Sequence, residues 1–310
     1  NLKLSTYLCL AGSAMASTAL YAVEDCDNTG ITTVRVQFVV DEEAMNQDLN
    51  SVNYAKSEES AITQSMEYID SLNERLDNSG VDNLRFEYTT SHFIEANAGS
   101  DNVDDIVERA KGKVDDWEDV VDYAEANGVD RTVVVNWGLR SDGANVCHMS
   151  WFYPNSLLRT GKPDRSAHYV MVNAKEFQQA EGCGGYGWRV QQGLGLSLGL
   201  DTGGSPEDAQ YITASNGETI LNWTDNGYQG GEGVTHYANG FADKVSIGGI
   251  DLYSNVTTMA QGRATKTNQR LPVFSSASTT YNGITIGDEN HDAARALREN
   301  ACAYDSVDEP

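Results

Sequence analysis

The chain has 310 residues and a mass of 33.7 kDa, with 40% hydrophobic and 22% charged residues. That is enough for one or two domains with a sizeable core. Twenty-one basic against 46 acidic residues give a net charge of −25 and a pI near 4.3. Nucleic-acid binding is excluded, since phosphate backbones are gripped by Lys and Arg, and so is docking on anionic membranes.

The first 22 residues open on Lys3, run uncharged from Leu4 to Leu20 and end at Tyr21-Ala22 before Glu24-Asp25. A basic start, an apolar stretch and a small residue before the polarity change read as a secretory signal peptide, with cleavage after Ala22 or Ala19. Residues 23–310 are then a secreted mature protein, extracellular or periplasmic, carrying Cys26, Cys147, Cys183 and Cys302. Four cysteines in an exported chain imply two disulfides with three possible pairings, of which Cys147–Cys183 and Cys26–Cys302 are favoured. No Cys-x-x-Cys spacing supports zinc ligation as the alternative.

In the mature chain, Val34 to Val40 is a β-branched strand. Ile62, Met66, Ile69 and Leu72 recur at helical spacing between Ser57 and Leu76, and Asn78-Ser79-Gly80 stops that helix. Asn83 to Thr89 alternates like a half-buried strand. A single helix is expected from Asn102 to Ala126, with Val114 and Trp117 on its apolar face. Arg131 to Trp137 is a buried strand, and Cys147 to Tyr153 and His168 to Asn173 are two more. This order describes an α/β domain with a mixed, mostly parallel sheet and long helices. An upper subdomain spans about residues 30–200. A loop-rich lower subdomain, about 201–310, closes with a helix from His291 to Ala301.

Three motifs overlap between Glu181 and Gly204. Gly182-Cys-Gly184-Gly-Tyr-Gly187 fits a dinucleotide fingerprint, but no strand leads directly into it. Gly195-Leu-Ser197-Leu-Gly199 fits a nucleophile elbow with Ser197 as nucleophile, leaving a serine hydrolase as one alternative. The third overlay spans Gln192 to Thr202. It resembles the zinc helix of the metzincin metallopeptidases, H-E-x-x-H-x-x-G-x-x-H, with Leu194-Gly195 and Ser197-Leu198-Gly199-Leu200 matching the family's wording. Asn78-Ser79-Gly80-Val81 resembles the family's NSGV, and Thr257-Thr258-Met259-Ala260 its Met-turn. Leu271-Pro272-Val273-Phe274-Ser275, Tyr281-Asn282-Gly283, Ile286-Gly287 and His291-Asp292-Ala293-Ala294-Arg295 resemble the tail of bacterial reprolysin-like and peptidyl-Asp metallopeptidases. The likeness covers roughly residues 30 to 301.

The resemblance implies a zinc site that this chain does not supply. Its ligand positions hold Gln192, Leu196 and Thr202, and its general-base position holds Gly193. Zinc is taken by imidazole, thiolate or carboxylate, and a base needs a side chain that can carry a proton. Asp201 is one residue off the third position. His92, His148, His168, His236 and His291 form no i, i+4 pair, although His236 leaves open an active zinc enzyme with unconventional ligands. The expectation is therefore a pseudopeptidase without a metal or other cofactor. It would bind an extended, neutral or basic peptide or protein in a cleft beneath an edge strand carrying Trp151 and Phe152. Gln192→His, Gly193→Glu, Leu196→His and Thr202→His together are expected to restore zinc binding.

Overall fold

The computed structural model describes residues 29–42, 45, 57–96, 103–136, 140–141, 144–145, 148–150, 168–173, 188–200, 209–213, 219–223, 240–247, 250–260, 270–289 and 291–304. Strand β1 (Thr32–Asp41) is buried along nearly its whole length, as its run of Val and Phe requires of a strand covered on both faces. Helix α1 (Glu58–Asn78) follows. Ser57 caps it, accepting from the Ser60 amide while the Ser60 hydroxyl bonds back to the Ser57 amide. Strand β2 (Leu84–Ile94) runs five residues past the expected end.

The single helix expected over 102–126 is two: α2 (Val103–Lys111) and α3 (Trp117–Asn127). Between them Lys113 and Asp115 adopt positive φ, which ends the helical ladder, and Val114 is exposed. Then come β3 (Arg131–Asn136), the short pair β4 (Arg140–Ser141) and β5 (Ala144–Asn145), β6 (His148–Ser150) and β7 (Tyr169–Asn173). Helix α4 (Trp188–Ser197) precedes three hairpins. These are β8 (Ala209–Thr213) with β9 (Thr219–Trp223), β10 (Asp243–Ile247) with β11 (Ile250–Ser254), and β12 (Thr280–Tyr281) with β13 (Ile284–Thr285). Helix α5 (Ala293–Glu299) and a 3-10 turn (Ala301–Ala303) follow; Cys302 in that turn is disulfide-bonded.

The architecture is α/β, with one sheet in the order β2-β1-β3-β7-β6. Four strands are parallel and β6 alone is antiparallel, pairing Met149 with Met171 of β7. Val34, Val36, Phe38 and Val40 point to one face and pack with Tyr68, Ile69, Leu72 and Leu76 of α1 and Val190, Leu194 and Leu198 of the α4 region. Val39, Val134 and Met171 point to the other, against Ile106, Val107, Trp117 and Val120. Met66, expected on the core stripe of α1, is 47% exposed, because the stripe runs through Ala61, Ser65, Tyr68 and Ile69 instead. Among the described residues no helix is long and apolar enough to cross a membrane.

Candidate functional site

Helix α4 presents two working faces, set by its 3.6-residue period. Val190, Gly193, Leu194 and Ser197 lie toward the sheet, and Gln192 and Gly195 toward the turn Thr257–Ala260. Val190, Leu194 and Met259 are fully buried. Gln192 reaches the turn with its side chain: Nε2 donates to the Thr258 carbonyl at 2.9 Å. Beside it, a Cβ added at Gly195 would stand 2.5 Å from Met259 Sδ, so the glycine lets the thioether press against the helix backbone. Leu196 is partly buried against the main core cluster. Thr258 is anchored from below, its amide at 2.8 Å and its hydroxyl at 2.7 Å both donating to the Val273 carbonyl.

Gly193 makes a second close approach. A Cβ there would lie 2.5 Å from Val170 Cγ1 on β7. A side chain at 193, such as the Glu of the zinc-restoring set, would have to displace this packed valine. The residues present do not fit zinc: an amide committed to a carbonyl, a glycine against a strand and a packed leucine offer it no ligand. Thr202, Asp201, His236, Trp151, Phe152, Cys26, Cys147 and Cys183 lie outside the described residues. Among the described residues no group of three or more His, Cys, Asp or Glu could hold a metal ion.

Ser197 ends α4 as a fully buried residue. Its hydroxyl donates to the Leu194 carbonyl at 2.7 Å and accepts from Arg131 Nε at 3.2 Å. It follows a helix rather than a strand, so the elbow geometry of a hydrolase nucleophile is absent here. Arg131 also donates to the Ser197 carbonyl at 3.4 Å and to the Asp130 carbonyl at 2.7 Å. A buried guanidinium thus sits on the negative end of the α4 dipole, which offsets part of its desolvation. Burial nevertheless pulls its pKa down.

On the opposite sheet face Gln37 Nε2 donates to Thr132 Oγ1 at 2.9 Å, and that hydroxyl meets His168 Nε2 at 2.7 Å. Burial, and after it the Arg131 charge, lowers the His168 pKa to about 3. Sequence reading missed Arg131 as a site residue. Its one signal was an arginine opening an otherwise Val-rich buried strand.

The motifs at the two ends of the chain touch. Asn78 Nδ2 donates to the Pro272 carbonyl at 3.1 Å, and the Phe274 amide donates to Ser79 Oγ at 2.7 Å. Arg298 of α5 donates to the Gly80 carbonyl at 3.2 Å. His291, buried, bonds Asp288 at 2.7 Å and meets the Phe241 ring edge-on.

No protein-family model matches the chain, and no curated protein matches it. Among solved structures, a chain from "Structure of a chaperone-substrate complex" is similar in fold, with a TM-score of 0.53 and 16% sequence identity. The match covers 89% of this chain and 35% of that one, so this chain spans about a third of its neighbour's length.

Proposed function

We propose that this chain is a secreted, metzincin-like pseudopeptidase that holds an extended, neutral or basic polypeptide against the β6 edge of its sheet. The observation that carries the reading is the Gln192 amide on the Thr258 carbonyl. At the first ligand position of the resembled motif, a side chain that cannot take zinc well is already spent on the turn below. Met259 pressing on Gly195 supports it, since that is where the family places its Met-turn. So do the contacts of Asn78 and Ser79 with residues 272 and 274, which join two of the motifs that carry the resemblance. On this reading Cys26–Cys302 and Cys147–Cys183 are the disulfides, and residues 201–310 form the lower subdomain.

The choice of edge rests on an asymmetry. At the β2 edge, Asn73 of α1 donates to the Phe86 carbonyl and accepts from the Phe86 amide, both at 2.9 Å. The carboxamide fills a rung that an added strand would need, one way of protecting an edge. β6 is the other edge, and strand addition there is a recurring peptide-binding mode. A net charge of −25 repels acidic ligands. Similarity in fold to a chain from a chaperone-substrate complex is in keeping with polypeptide binding.

Hydrogen–deuterium exchange tests the reading. Saturating amounts of a pool of neutral and basic decapeptides should slow exchange in 148–150 and leave 84–94 unchanged. No slowing at 148–150, or slowing at β2 instead, would overturn the assigned edge.

A further inference from the structure

We propose that strand β2 carries an edge complementary to β2 of a second copy of this chain, and that Asn73 of α1 holds that edge shut. The surface lies at the opposite side of the sheet from β6, and the inference does not rest on the pseudopeptidase reading. β2 is an outer strand and is 11 residues long. A long outer strand presents unpaired backbone groups that invite another chain, so proteins guard such strands. The two halves of β2 are guarded differently. Beyond Tyr88 the register with β1 shifts: Thr89 and Thr90 stand opposite Gln37, and the Thr89 hydroxyl donates to the Val36 carbonyl at 3.1 Å. A bulge of this kind twists an edge away from a partner.

From Leu84 to Tyr88 the register is regular, and there the guard is a side chain. The outward rung at Phe86 is taken whole: its amide donates to Asn73 Oδ1 and its carbonyl accepts from Asn73 Nδ2, both at 2.9 Å. A carboxamide offers the same donor and acceptor as a peptide group, so Asn73 stands where a neighbouring strand would. The next outward acceptor, the Leu84 carbonyl, takes a bond from Arg85 Nη1 at 2.7 Å.

The occupant follows from charge. When two identical strands pair antiparallel about a two-fold axis normal to the sheet, residues equally far from the axis on either side meet. With Arg85 on the axis two arginines oppose each other, and with Glu87 on it two glutamates do; like charges directly opposite are destabilising. With Tyr88 on it the ladder runs into the bulge, and with Leu84 on it half the ladder lies before the strand begins. With Phe86 on it each Arg85 meets a Glu87 of the other copy, and each Leu84 meets a Tyr88. That is also the register in which the two Phe86 residues exchange both backbone bonds, on the rung that Asn73 now fills. The present ion pairs are solvent-exposed, Glu87 with Arg35 at 3.9 Å and Arg85 with Asp77 at 2.5 Å, and pairs of that kind contribute little. Turning Arg85 toward the opposing Glu87 would free the Leu84 carbonyl as well. A charge of −25 on each copy opposes close approach, which keeps the opened edge's affinity modest.

The experiment is sedimentation velocity of the full chain over a concentration series, in about 0.15 M salt to screen the net charge. Asn73→Ala frees the rung and should move from one chain toward two as concentration rises, with amide exchange slowed at 84–88 in the associated form. Wild type should do neither. Adding Glu87→Arg sets arginine against arginine and should weaken the association about tenfold. An equal mixture of Asn73→Ala/Glu87→Arg with Asn73→Ala/Arg85→Glu should regain it, because each copy then offers the other the opposite charge. An Asn73→Ala chain that associates no more than wild type would overturn the proposal. So would an association indifferent to Glu87→Arg, or one that leaves exchange at 84–88 unchanged, since the contact would then lie elsewhere. Should Asn73→Ala fail to fold, Asn73→Ser, too short to span both backbone groups, is read against the same outcomes.

Discussion

Replacing Gly193 by Ala tests whether α4 is as tightly seated as its contacts imply. In an exposed helix interior this change gains about 1 kcal/mol from helix propensity. Here the new Cβ would stand 2.5 Å from Val170 Cγ1, where carbon atoms prefer about 3.5–4.0 Å. Val170 is fully buried and, being β-branched, has little rotamer freedom to yield. Helix and strand must therefore part by about 1 Å, and overpacking of this kind costs about 1–3 kcal/mol. The net expectation is a loss of about 1 kcal/mol, opposite in sign to the propensity effect. In a Val170→Ala background the obstruction is gone, and the same substitution should stabilise by about 1 kcal/mol. The two backgrounds should thus differ by about 2 kcal/mol, well within the range of contacting pairs. Urea unfolding followed by far-ultraviolet circular dichroism measures this, provided the m-values agree. If Gly193→Ala stabilised the wild-type protein and the cycle showed no coupling, position 193 would have room for a side chain. Position 193 could then carry a general base.

Two further predictions concern neighbouring groups. Gln192→Leu keeps the bulk but leaves the Thr258 carbonyl without its donor, and should cost about 1–3 kcal/mol in the same unfolding assay. A neutral result would mean that the bond does not tie α4 to the turn. His168 has a folded pKa of about 3, below its ordinary 6.5. The unfolded chain therefore takes up the proton first. The contribution is complete above pH 6.5 and is lost as pH falls toward 3, at no more than about 1.4 kcal/mol per pH unit. Unfolding at pH 7 and pH 5 should differ by up to about 2 kcal/mol from this group, and His168→Gln should remove that part of the slope. An unchanged slope in the variant would refute the assignment.

Much of the sheet was legible because burial imposes period. The Val-rich runs of β1 and β3 and the helical spacing of Ile69 and Leu72 had only one sensible reading. The break at 112–116 was not legible, because Lys113 and Asp115 adopt positive φ that their side chains do not advertise. The hairpins were not read in the region expected to be loop-rich, although Asn282-Gly283 between Tyr281 and Ile284 is a two-residue turn signal and both residues have positive φ. Gly248-Gly249 between β10 and β11 is a similar signal. The candidate site was legible as a segment but not as a set of contacts. The motif overlay singled out Gln192 and Leu196 as ligand positions; it could not say that Gln192 meets Thr258, or that Gly195 meets Met259, more than 60 residues away. Arg131 and Ser197, 66 residues apart, were hidden for the same reason. A polar residue names its need for a partner, and only the fold supplies which one.

The central claim is that the positions resembling a zinc site are given over to packing. It is met most directly by metal content: the protein, equilibrated with excess zinc and freed of unbound metal by gel filtration, is analysed by elemental mass spectrometry. The account predicts far less than one zinc per chain, unchanged by Gln192→Leu. One tightly held zinc per chain, lost in the Gln192→Leu variant, would contradict it.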